Sequence, residues 1–571
     1  MSRFLDALIA NAQHSDGGIT TGEPDAPRRR TWAGLLDTAR RIAADLCSAG
    51  VAPGDAVAML IGDPDRSVPV AEAIWLAGAS VTVLQQPTAR TDREMWQSNS
   101  LRVLRMIKAG LVVVGPPFLE HAEFLTANGI EVRTVDELGA RRAPADFTAP
   151  PVGEETVALL QLTSGSTAQP KAVQVTHGNL AANVTAMAAG MRIDPAADLM
   201  VSWAPMYHDM GMIGCLALPL FTGMELVKIA PTTFIRDPYL WADLISRYRA
   251  TIAAGPNFSW DILTRQLELA EAGSLDLSSV RIAASSGEPV DYRTVTALTA
   301  AGARFGLRPD SPNSCYGAAE ITALATLSPL SRPPRFDLVD AVELETQRRA
   351  VPVDTAPATG ARRFAVVGPP LPGIELRVVD EDGRALEPRR IGRIQVRGPS
   401  VTAAYVTVDG VVPIQDADGW VDMGDDGYLA EGEVVICGRR KDVIIMAGRN
   451  IYPIDIERAA ETVTGVRAGN VIAAGYRVDS GIDVGRETFG VLAESRQVGD
   501  AAAEERIRSQ IADRVAAAVG ARPDRVLLLP PNRLPKTSSG KPRRFRAAEL
   551  LRADHPVSSA ARERNPAIPP G

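Results

Sequence analysis

The chain has 571 residues, of which 46% are apolar and 23% are charged, with a net charge of −7 and a pI near 5.5. A chain of this length and composition can form several domain-sized units with large apolar cores. The absence of a basic excess argues against a general binder of nucleic acid or anionic membranes, because few cations are left to neutralise phosphates.

The cysteines and the apolar runs predict a cytoplasmic protein without a membrane span. The four cysteines are far apart and show no CxxC spacing, as is typical of a reduced, cytosolic chain. The five histidines form no cluster with them, so a structural zinc site is not expected. No apolar run approaches the length of about 18 residues that a membrane helix needs. The first thirteen residues, MSRFLDALIANAQ, predict an amphipathic helix rather than a signal peptide.

The N-terminal part of the chain alternates predicted helices and strands. The run TWAGLLDTARRIAADLCSAG has apolar residues at helical spacing and ends at Gly50, which favours a helix stop. AVAMLI, SVTVL, LVVVG and VALLQL predict short buried strands, and AEAIWLAGA lies between two of them. This alternation continues to about residue 327, so the sequence predicts parallel sheets with crossover helices.

The composition changes in the second half of the chain. A stretch rich in Pro, Arg and Ala indicates an inserted or extended connection at about 331–365. Short β-like runs divided by DEDG and VDG turns then predict an antiparallel or barrel-like subdomain at about 364–437. We expect an N-terminal domain of residues 1–440 and a C-terminal domain of residues 441–571, with a disordered tail from about residue 552.

A Ser/Thr/Gly-rich stretch, LTSGSTAQPKAV at 162–173, directly follows a predicted strand. Backbone N–H groups and hydroxyls in such a turn can face phosphate oxygens, and Lys171 adds a positive charge. The stretch does not match the GxxxxGK[ST] pattern of P-loop NTPases. Taken alone, it is explained equally well as a polar surface loop.

Two acidic residues stand in apolar or turn-rich stretches. Glu320, in NSCYGAAEITAL, is explained either as a Mg²⁺ ligand or as the start of a surface helix, since a buried unpaired carboxylate is costly. Asp425, in DGWVDMGDDGYL, has the acceptors that ribose hydroxyls require, although a hairpin loop is the simpler interpretation in isolation.

Three further stretches are each unremarkable when taken alone. His208, in SWAPMYHDMGMIG, is typical of a core histidine rather than a general base. GRRKDVIIMAGRNIYPIDIE predicts a domain boundary with a helix beginning near Pro453. LPKTSSGKPRR is a second cluster of Ser, Gly and Lys, on a predicted surface loop.

Together these stretches resemble the adenylate-forming superfamily of acyl and aryl ligases, over residues 30 to 545. LTSGSTAQPKAV is similar to its phosphate loop, YGAAE to its glutamate motif and GDDGYL to its ribose motif. GRRKD resembles its hinge and PKTSSGK its catalytic lysine motif. PMYHDMGMIG, ISRYRATIAAGPNF, GRNIYP and the long connection after Glu320 resemble more narrowly the fatty acyl-AMP ligases.

The resemblance implies an α/β fold with a large N-terminal domain of parallel sheets, a β-rich subdomain and a small mobile α+β C-terminal domain. It implies ATP and Mg²⁺ as cofactors, a fatty acid as substrate and, as acyl acceptor, an acyl carrier protein or a carrier domain of a polyketide or peptide synthase. It implies an ATP site formed by Thr163, Ser164, Gly165, Ser166, Thr167, Lys171, Ser286, Gly287, Tyr316, Gly317, Asp425 and Arg439. It further implies catalytic roles for Lys541, for Glu320 as the Mg²⁺ ligand and for His208 at the carboxylate end of the acyl pocket, with Lys441 at the hinge.

The chain departs from the superfamily at several positions. Ala168 and Ala172 replace glycines of the phosphate loop, and Met423 replaces a threonine of the ribose motif. An acyl-CoA synthetase is the alternative enzyme, since those relatives make the same acyl-adenylate intermediate. They usually have a shorter connection after the glutamate motif. A non-catalytic nucleotide- or acyl-binding protein is the other alternative, and the presence of Lys541 and Glu320 argues against it.

Overall fold

The computed structural model describes residues 1–87, 91–163, 169–355, 360–446, 449–477, 487–536 and 542–553. Its α-helices are α1 (Arg3–His14), α2 (Trp32–Ser48), α3 (Pro64–Leu76), α4 (Arg93–Met106), α5 (Ala122–Ala127), α6 (His177–Met191), α7 (Leu218–Thr222), α8 (Pro231–Arg236), α9 (Tyr239–Arg247), α10 (Asn257–Leu269), α11 (Tyr292–Ala303), α12 (Ala341–Gln347), α13 (Pro453–Glu461), α14 (Ala501–Val519) and α15 (Arg544–Ala553). None of these described helices is long and apolar enough to cross a membrane.

The strands of the first half of the chain are β1 (Gly18–Thr21), β2 (Arg28–Thr31), β3 (Ala56–Leu60), β4 (Ser80–Val83), β5 (Leu111–Val114), β6 (Val132–Thr134), β7 (Val157–Leu162), β8 (Lys171–Thr176), β9 (Leu199–Ser202), β10 (Glu225–Lys228), β11 (Ile252–Gly255), β12 (Ile282–Ser285), β13 (Pro312–Tyr316) and β14 (Thr326–Leu327). Those of the second half are β15 (Phe336–Asp340), β16 (Ala361–Ala365), β17 (Glu375–Val379), β18 (Gly392–Arg397), β19 (Ala404–Thr407), β20 (Gly410–Pro413), β21 (Val421–Ala430), β22 (Glu433–Arg439), β23 (Ile444–Met446), β24 (Arg449–Ile451), β25 (Val466–Arg477), β26 (Glu487–Ser495) and β27 (Arg525–Leu529).

The chain divides into two compact units. The first unit comprises Met1–Asp337 and Arg363–Ile436, and the second comprises Leu338–Arg362 and the chain from Cys437 onward. The first unit contains two eight-stranded sheets, in the orders β14-β13-β12-β11-β9-β10-β1-β2 and β20-β19-β8-β7-β4-β3-β5-β6. The inner strands of the first sheet are all parallel, as are β7, β4, β3, β5 and β6 of the second. The predicted α/β fold with parallel sheets is therefore confirmed.

Side-chain caps fix the starts of several helices in this unit. Thr31 accepts a hydrogen bond from a backbone N–H at the start of α2, and Asp63 does the same for α3, where Pro64 occupies the first turn. Thr176 and Asn179 form a reciprocal capping box at the start of α6. Helix α6 therefore begins directly where β8, the strand that follows the phosphate loop, ends.

Both faces of the first sheet are buried. In β12 the neighbouring residues Ile282 and Ala283 belong to different apolar clusters, since successive side chains point to opposite faces of a strand. The cluster of Ile282 also includes residues from α1, α2, α3 and α6. The cluster of Ala283 includes residues from α9, α10 and α11. Helices on both faces are typical of a parallel sheet, and they leave its carboxyl edge for the loops.

The ribose-motif stretch lies in a strand, so its interpretation as a hairpin loop is wrong. Residues Val421–Ala430 form β21, an inner strand of the four-stranded sheet β17-β18-β21-β22. β18 pairs antiparallel with both β17 and β21. The side chains of Met423 and Tyr428 are buried in this strand. The free energy gained by burying them outweighs the turn preference of the Gly and Asp residues between them.

The second unit is built on the sheet β25-β26-β27, with α13 and α14 packed on one cluster of its side chains and α15 on another. Residues 338–362, which lie within the predicted insertion, pack into this unit through a group of four charged residues. Arg362 Nη2 lies 2.6 Å from Glu345 Oε1, and Arg362 Nε lies 3.0 Å from Asp455 Oδ2. Arg449 Nε donates to Glu345 Oε2 at 2.9 Å. We call Glu345, Arg362, Arg449 and Asp455 the Glu345 hub.

Lys228, the last residue of β10, is a buried cation. Its side chain is 2% exposed, and Nζ donates to the carbonyl oxygen of Ala204 at 3.1 Å. Burial lowers the pKa of Lys228 to about 8 from its ordinary value of 10.5. The folded state therefore binds fewer protons than the unfolded state between these two pH values, and stability rises with pH in that window.

We therefore expect Lys228→Met to stabilise the protein at pH 7 by about 2 to 3 kcal/mol, because the burial penalty of the ammonium is removed. The gain should shrink as the pH rises from about 8 and level off above 10.5, where the wild-type lysine is mostly neutral in both states. Urea unfolding at several pH values measures this difference. Lys108→Met, at an exposed position, is the control. A gain in stability that does not depend on pH would show that Lys228 is not a buried cation with a lowered pKa.

Candidate active site

A cluster of three side chains joins the base of the predicted phosphate loop to Glu320. Glu320 lies in a short 3-10 turn that follows β13, Lys171 begins β8, and Tyr405 lies on β19. Tyr405 Oη donates to Glu320 Oε1 at 2.6 Å, and Lys171 Nζ lies 3.8 Å from the same oxygen. Lys171 Nζ also stands 3.6 Å from the centroid of the Tyr405 ring. Glu320 is therefore neither a solvated helix start nor an unpaired buried charge.

The two described ends of the phosphate loop meet at this cluster. The backbone N–H of Thr163 donates to the carbonyl oxygen of Lys171 at 3.3 Å. Thr163 Oγ1 is buried and has no hydrogen-bond partner among the described residues. The remaining predicted members of the loop, which are Ser164, Gly165, Ser166 and Thr167, lie outside the described residues, as does Ala168.

Two of the departures from the superfamily pattern occupy core positions. Ala172 is fully buried in β8, where it pairs with Val406 of β19 and with Leu162 of β7. A glycine is not required there, because the residue is held in a strand. Met423 is 6% exposed and packs into the largest apolar cluster.

A predicted adenine residue, Tyr316, and a predicted ribose residue, Asp425, meet at the carboxyl edge of the first sheet. Tyr316, at the end of β13, donates from Oη to Asp425 Oδ2 at 2.6 Å, and Asp425 is 4% exposed. Gly317 follows, and a Cβ there would lie 2.0 Å from the carbonyl oxygen of Ala323, so no larger residue fits. The acceptor oxygens of Asp425 are thus held beside an aromatic ring.

Ser286 and Gly287 lie in the turn directly after β12. Gly287 has a φ of +83°, which favours glycine, and the nearest atom to a Cβ there would be Met210 Cε at 3.7 Å. The side chain of Met210 therefore lies near this turn, and Met210 follows His208 by two residues. His208 Nδ1 lies 2.6 Å from Asp209 Oδ1, just before a π-helix of residues Met210–Ala217. His208 keeps 22% of its side chain exposed, so it is not an enclosed core histidine.

Backbone strain accompanies Glu320. Thr322, two residues later, has a φ of +73° although it is β-branched and fully buried. Such a conformation costs about 1 to 3 kcal/mol and persists only where the surroundings impose it. Here Thr322 Oγ1 donates to the carbonyl oxygen of Ser400 at 2.7 Å, which helps to hold it. Strain of this kind is common at functional sites, so it supports a functional role for the turn.

The other predicted site residues belong to the second unit or are not described. Arg439 ends β22, and Lys441 lies in the 3-10 turn Arg440–Asp442. Lys541 lies outside the described residues. Lys536 is described, and its Nζ donates to the carbonyl oxygen of Gly469 at 2.5 Å and to Asn470 Oδ1 at 3.0 Å.

Tyr405 and Thr402 both contact Glu320, although no motif in the sequence singles them out. The backbone N–H and Oγ1 of Thr402 donate to the carbonyl oxygen of Glu320 at 2.9 and 3.2 Å. These residues follow Glu320 by more than eighty positions, and no local pattern links them. The pairing of β19 with β8 places Tyr405 on the strand next to the one that begins at Lys171, and Thr402, just before β19, reaches the carbonyl oxygen of Glu320.

The site can provide cations, buried acceptors and a carboxylate around a nucleotide phosphate chain. Glu320 Oε2 has no hydrogen-bond partner in the described part of the chain, and oxygen ligands of this type suit Mg²⁺ together with substrate phosphates. The residues therefore fit a magnesium–nucleotide complex. No group of three or more metal-ligating side chains occurs among the described residues, so the protein part of such a site rests on Glu320.

The comparisons with known proteins agree with this chemistry. The family of AMP-binding enzymes matches residues 10–406, and the chain belongs to it. It is thus a member of the adenylate-forming ligases, a family that binds ATP, and the resemblance found in its motifs is confirmed.

The similar proteins include fatty acid ligases. The chain is 47% identical over 554 residues to Rv1013, a candidate ligase of Mycobacterium tuberculosis, covering 96% of this chain and all of that one. It is 33% identical over 407 residues to JamA of Moorena producens, a medium-chain-fatty-acid–[acyl-carrier-protein] ligase, covering 69% of this chain and 67% of JamA. A solved fatty acyl-adenylate ligase, from work on the enzymes of E. coli and L. pneumophila, has a TM-score of 0.86 and 27% identity and covers 97% of this chain and 98% of its own.

Proposed function

We propose that this protein is a fatty acyl-AMP ligase. It activates a fatty acid with ATP, releases pyrophosphate and forms an acyl-adenylate, whose acyl group then passes to an acyl carrier protein. The observation that carries the proposal is the placement of Glu320 beside Lys171 at the base of the phosphate loop, while Tyr316, four residues earlier, holds Asp425. The fatty acid ligases among its relatives support the substrate class.

The first step requires positioning and charge neutralisation rather than a general base. A fatty carboxylate is ionised near neutral pH, so its oxygen can attack the α-phosphorus directly while pyrophosphate leaves with the bond electrons. Bound Mg²⁺ would supply charge neutralisation on the phosphates, held by Glu320. The backbone and hydroxyls of the loop from Thr163 to Thr167 would bind the β- and γ-phosphates, assisted by Lys171.

The remaining residues would orient the nucleotide and the acyl chain. Tyr316 would stack on adenine beside Ser286, Gly287 and Gly317, while Asp425 and Arg439 bind the ribose hydroxyls. His208 would close the carboxylate end of the acyl pocket, two residues before Met210, whose side chain lies near the turn of Ser286 and Gly287. Lys541 would stabilise the charge that develops between the acyl oxygen and the α-phosphate.

The second step transfers the acyl group to a phosphopantetheine thiol, and it needs a different pose of the C-terminal domain. The thiolate sulfur attacks the acyl carbon, and AMP leaves with the electrons of the broken acyl–phosphate bond. We propose that the C-terminal domain, residues 441–571, turns about Lys441 between the two steps, since one lysine cannot serve both from one pose. The inserted segment at about 331–365 would restrain that rotation and disfavour coenzyme A.

An assay of the whole protein with labelled fatty acid, ATP and Mg²⁺ tests the proposal. We expect acyl-AMP to accumulate and coenzyme A to add little product, while a phosphopantetheinylated carrier protein takes up the acyl group. Thin-layer chromatography separates these products, and acids of eight to eighteen carbons define the chain length. Efficient acyl-CoA formation would instead favour an acyl-CoA synthetase, and absence of any adenylate would favour a non-catalytic binding protein.

A further inference from the structure

Tyr405 contacts both of the charged groups at the base of the phosphate loop. Its hydroxyl donates to Glu320 Oε1 at 2.6 Å, a length typical of a charge-assisted hydrogen bond. Its ring face carries Lys171 Nζ at 3.6 Å from the centroid, within the range of a cation–π interaction. One side chain therefore sets the position of a carboxylate and of a cation.

The strand that carries Tyr405 also fixes the main chain of Glu320. Thr402, just before β19, donates to the carbonyl oxygen of Glu320 from both its backbone N–H and its hydroxyl. β19 pairs with β8, with Tyr405 opposite Val173 and Thr407 opposite Lys171. The segment from Thr402 to Tyr405 thus holds Glu320 at two points, and its strand pairs with the strand that begins at Lys171.

The two oxygens of the Glu320 carboxylate have different surroundings. Oε1 receives the Tyr405 hydroxyl and faces Lys171, whereas Oε2 accepts no hydrogen bond in the described part of the chain. Holding one oxygen of a carboxylate, together with its main chain, limits the directions in which the other oxygen can point. Groups that orient a metal-binding carboxylate in this way raise metal affinity by limiting the freedom the ligand loses on binding.

We propose that Tyr405 is a positioning residue for the divalent cation that accompanies the nucleotide, because its hydroxyl directs Glu320 Oε2 toward the phosphates. This inference rests on the proposed function, since it takes the magnesium–nucleotide complex as the ligand of the site. The role belongs to the hydroxyl, and the ring serves separately as the support for Lys171.

The variant Tyr405→Phe tests the hydroxyl alone, because it keeps the ring beneath Lys171. Binding of a fluorescent ATP analogue to the full chain is titrated with Mg²⁺. We expect the Mg²⁺ concentration at half-maximal enhancement of binding to rise about 10- to 100-fold, the usual cost of losing a partner of a metal-binding side chain. Affinity for the nucleotide without Mg²⁺ should change much less, because the ring beneath Lys171 is kept.

Tyr248→Phe is the matched control. Tyr248 Oη donates to Glu23 Oε1 at the same 2.6 Å and is also partly buried, but it lies outside the site. Its Mg²⁺ titration should equal that of the wild type. Equal titrations of Tyr405→Phe and the wild type would overturn the positioning role while leaving the proposed function intact. A wild-type protein that binds the nucleotide without any response to Mg²⁺ would instead overturn both.

Discussion

Lys541→Ala is expected to lower acyl-adenylate formation by about 10²- to 10³-fold, the usual effect of removing one group that stabilises transition-state charge. Binding of ATP should be largely kept, because the loop, Lys171 and Asp425 remain. Pyrophosphate release measures the chemical step, and a fluorescent ATP analogue measures the binding. Equal losses in both assays would mean that the lysine acts on the ground state instead.

Separate assays of adenylation and of acyl transfer test whether Lys541 acts only in the first step. If the domain rotates between the steps, the lysine has no part in the transfer of the acyl group to the carrier. The variant should then use purified acyl-AMP for transfer at a rate near that of the wild type. Lys536→Ala is the control, because Lys536 lies five residues earlier and donates to Gly469 and Asn470 within its own unit. Unchanged adenylation by Lys541→Ala would show that its proposed role is wrong.

The local elements of this fold follow from local patterns. The run at 32–48 forms α2 as its helical spacing predicts, and the apolar run from Val157 to Leu162 forms β7. Parallel sheets followed from the alternation of such runs, because a parallel connection needs a crossover helix. The order of the strands did not follow, since β1 lies beside β10 and β19 beside β8 across long stretches of sequence.

The same limit applies to the site. Glu320 and Asp425 could be singled out because a charge in an apolar context or a dense turn motif is visible locally, and their motifs resemble those of a known family. Tyr405 gave no local signal, because its partner is 85 positions away. The Glu345 hub is similar, since Glu345 and Arg449 are separated by 104 positions. Side chains of this kind become recognisable only through the pairing of distant elements.

Composition alone indicated an interruption at about 331–365, which includes residues 338–362, but it did not indicate the buried charges within it. Glu345 has 1% of its side chain exposed and Arg362 has 8%. Buried charges of this kind require partners, and a helix of seven residues such as α12 has no strong pattern of its own. The partners in α13 and β24 come from beyond the β-rich subdomain.

Arg362→Met is expected to destabilise the second unit by about 3 to 5 kcal/mol, because it leaves Glu345 and Asp455 buried without one of their cations. Arg362 also donates to the carbonyl oxygen of Ala518 at 3.1 Å, so its loss removes a contact with the end of α14 as well. All seven tryptophans lie in the first unit, so their fluorescence does not report on this change directly. Hydrogen exchange of α13 and β24 in the full chain measures it.

The loss of stability caused by Arg362→Met should also depend on pH. Burial raises the pKa of Asp455, and Arg362 opposes that rise. Without Arg362 the folded pKa rises further above the unfolded one, so the folded state binds the extra proton and stability falls as the pH increases through that window. The loss of protection against hydrogen exchange should therefore be larger at neutral pH than in mild acid.

Arg384→Met is the control, since the Arg384–Asp382 pair is 76% and 69% exposed and such pairs contribute less than about 1 kcal/mol. Equal effects of the two variants would show that the hub does not anchor residues 338–362.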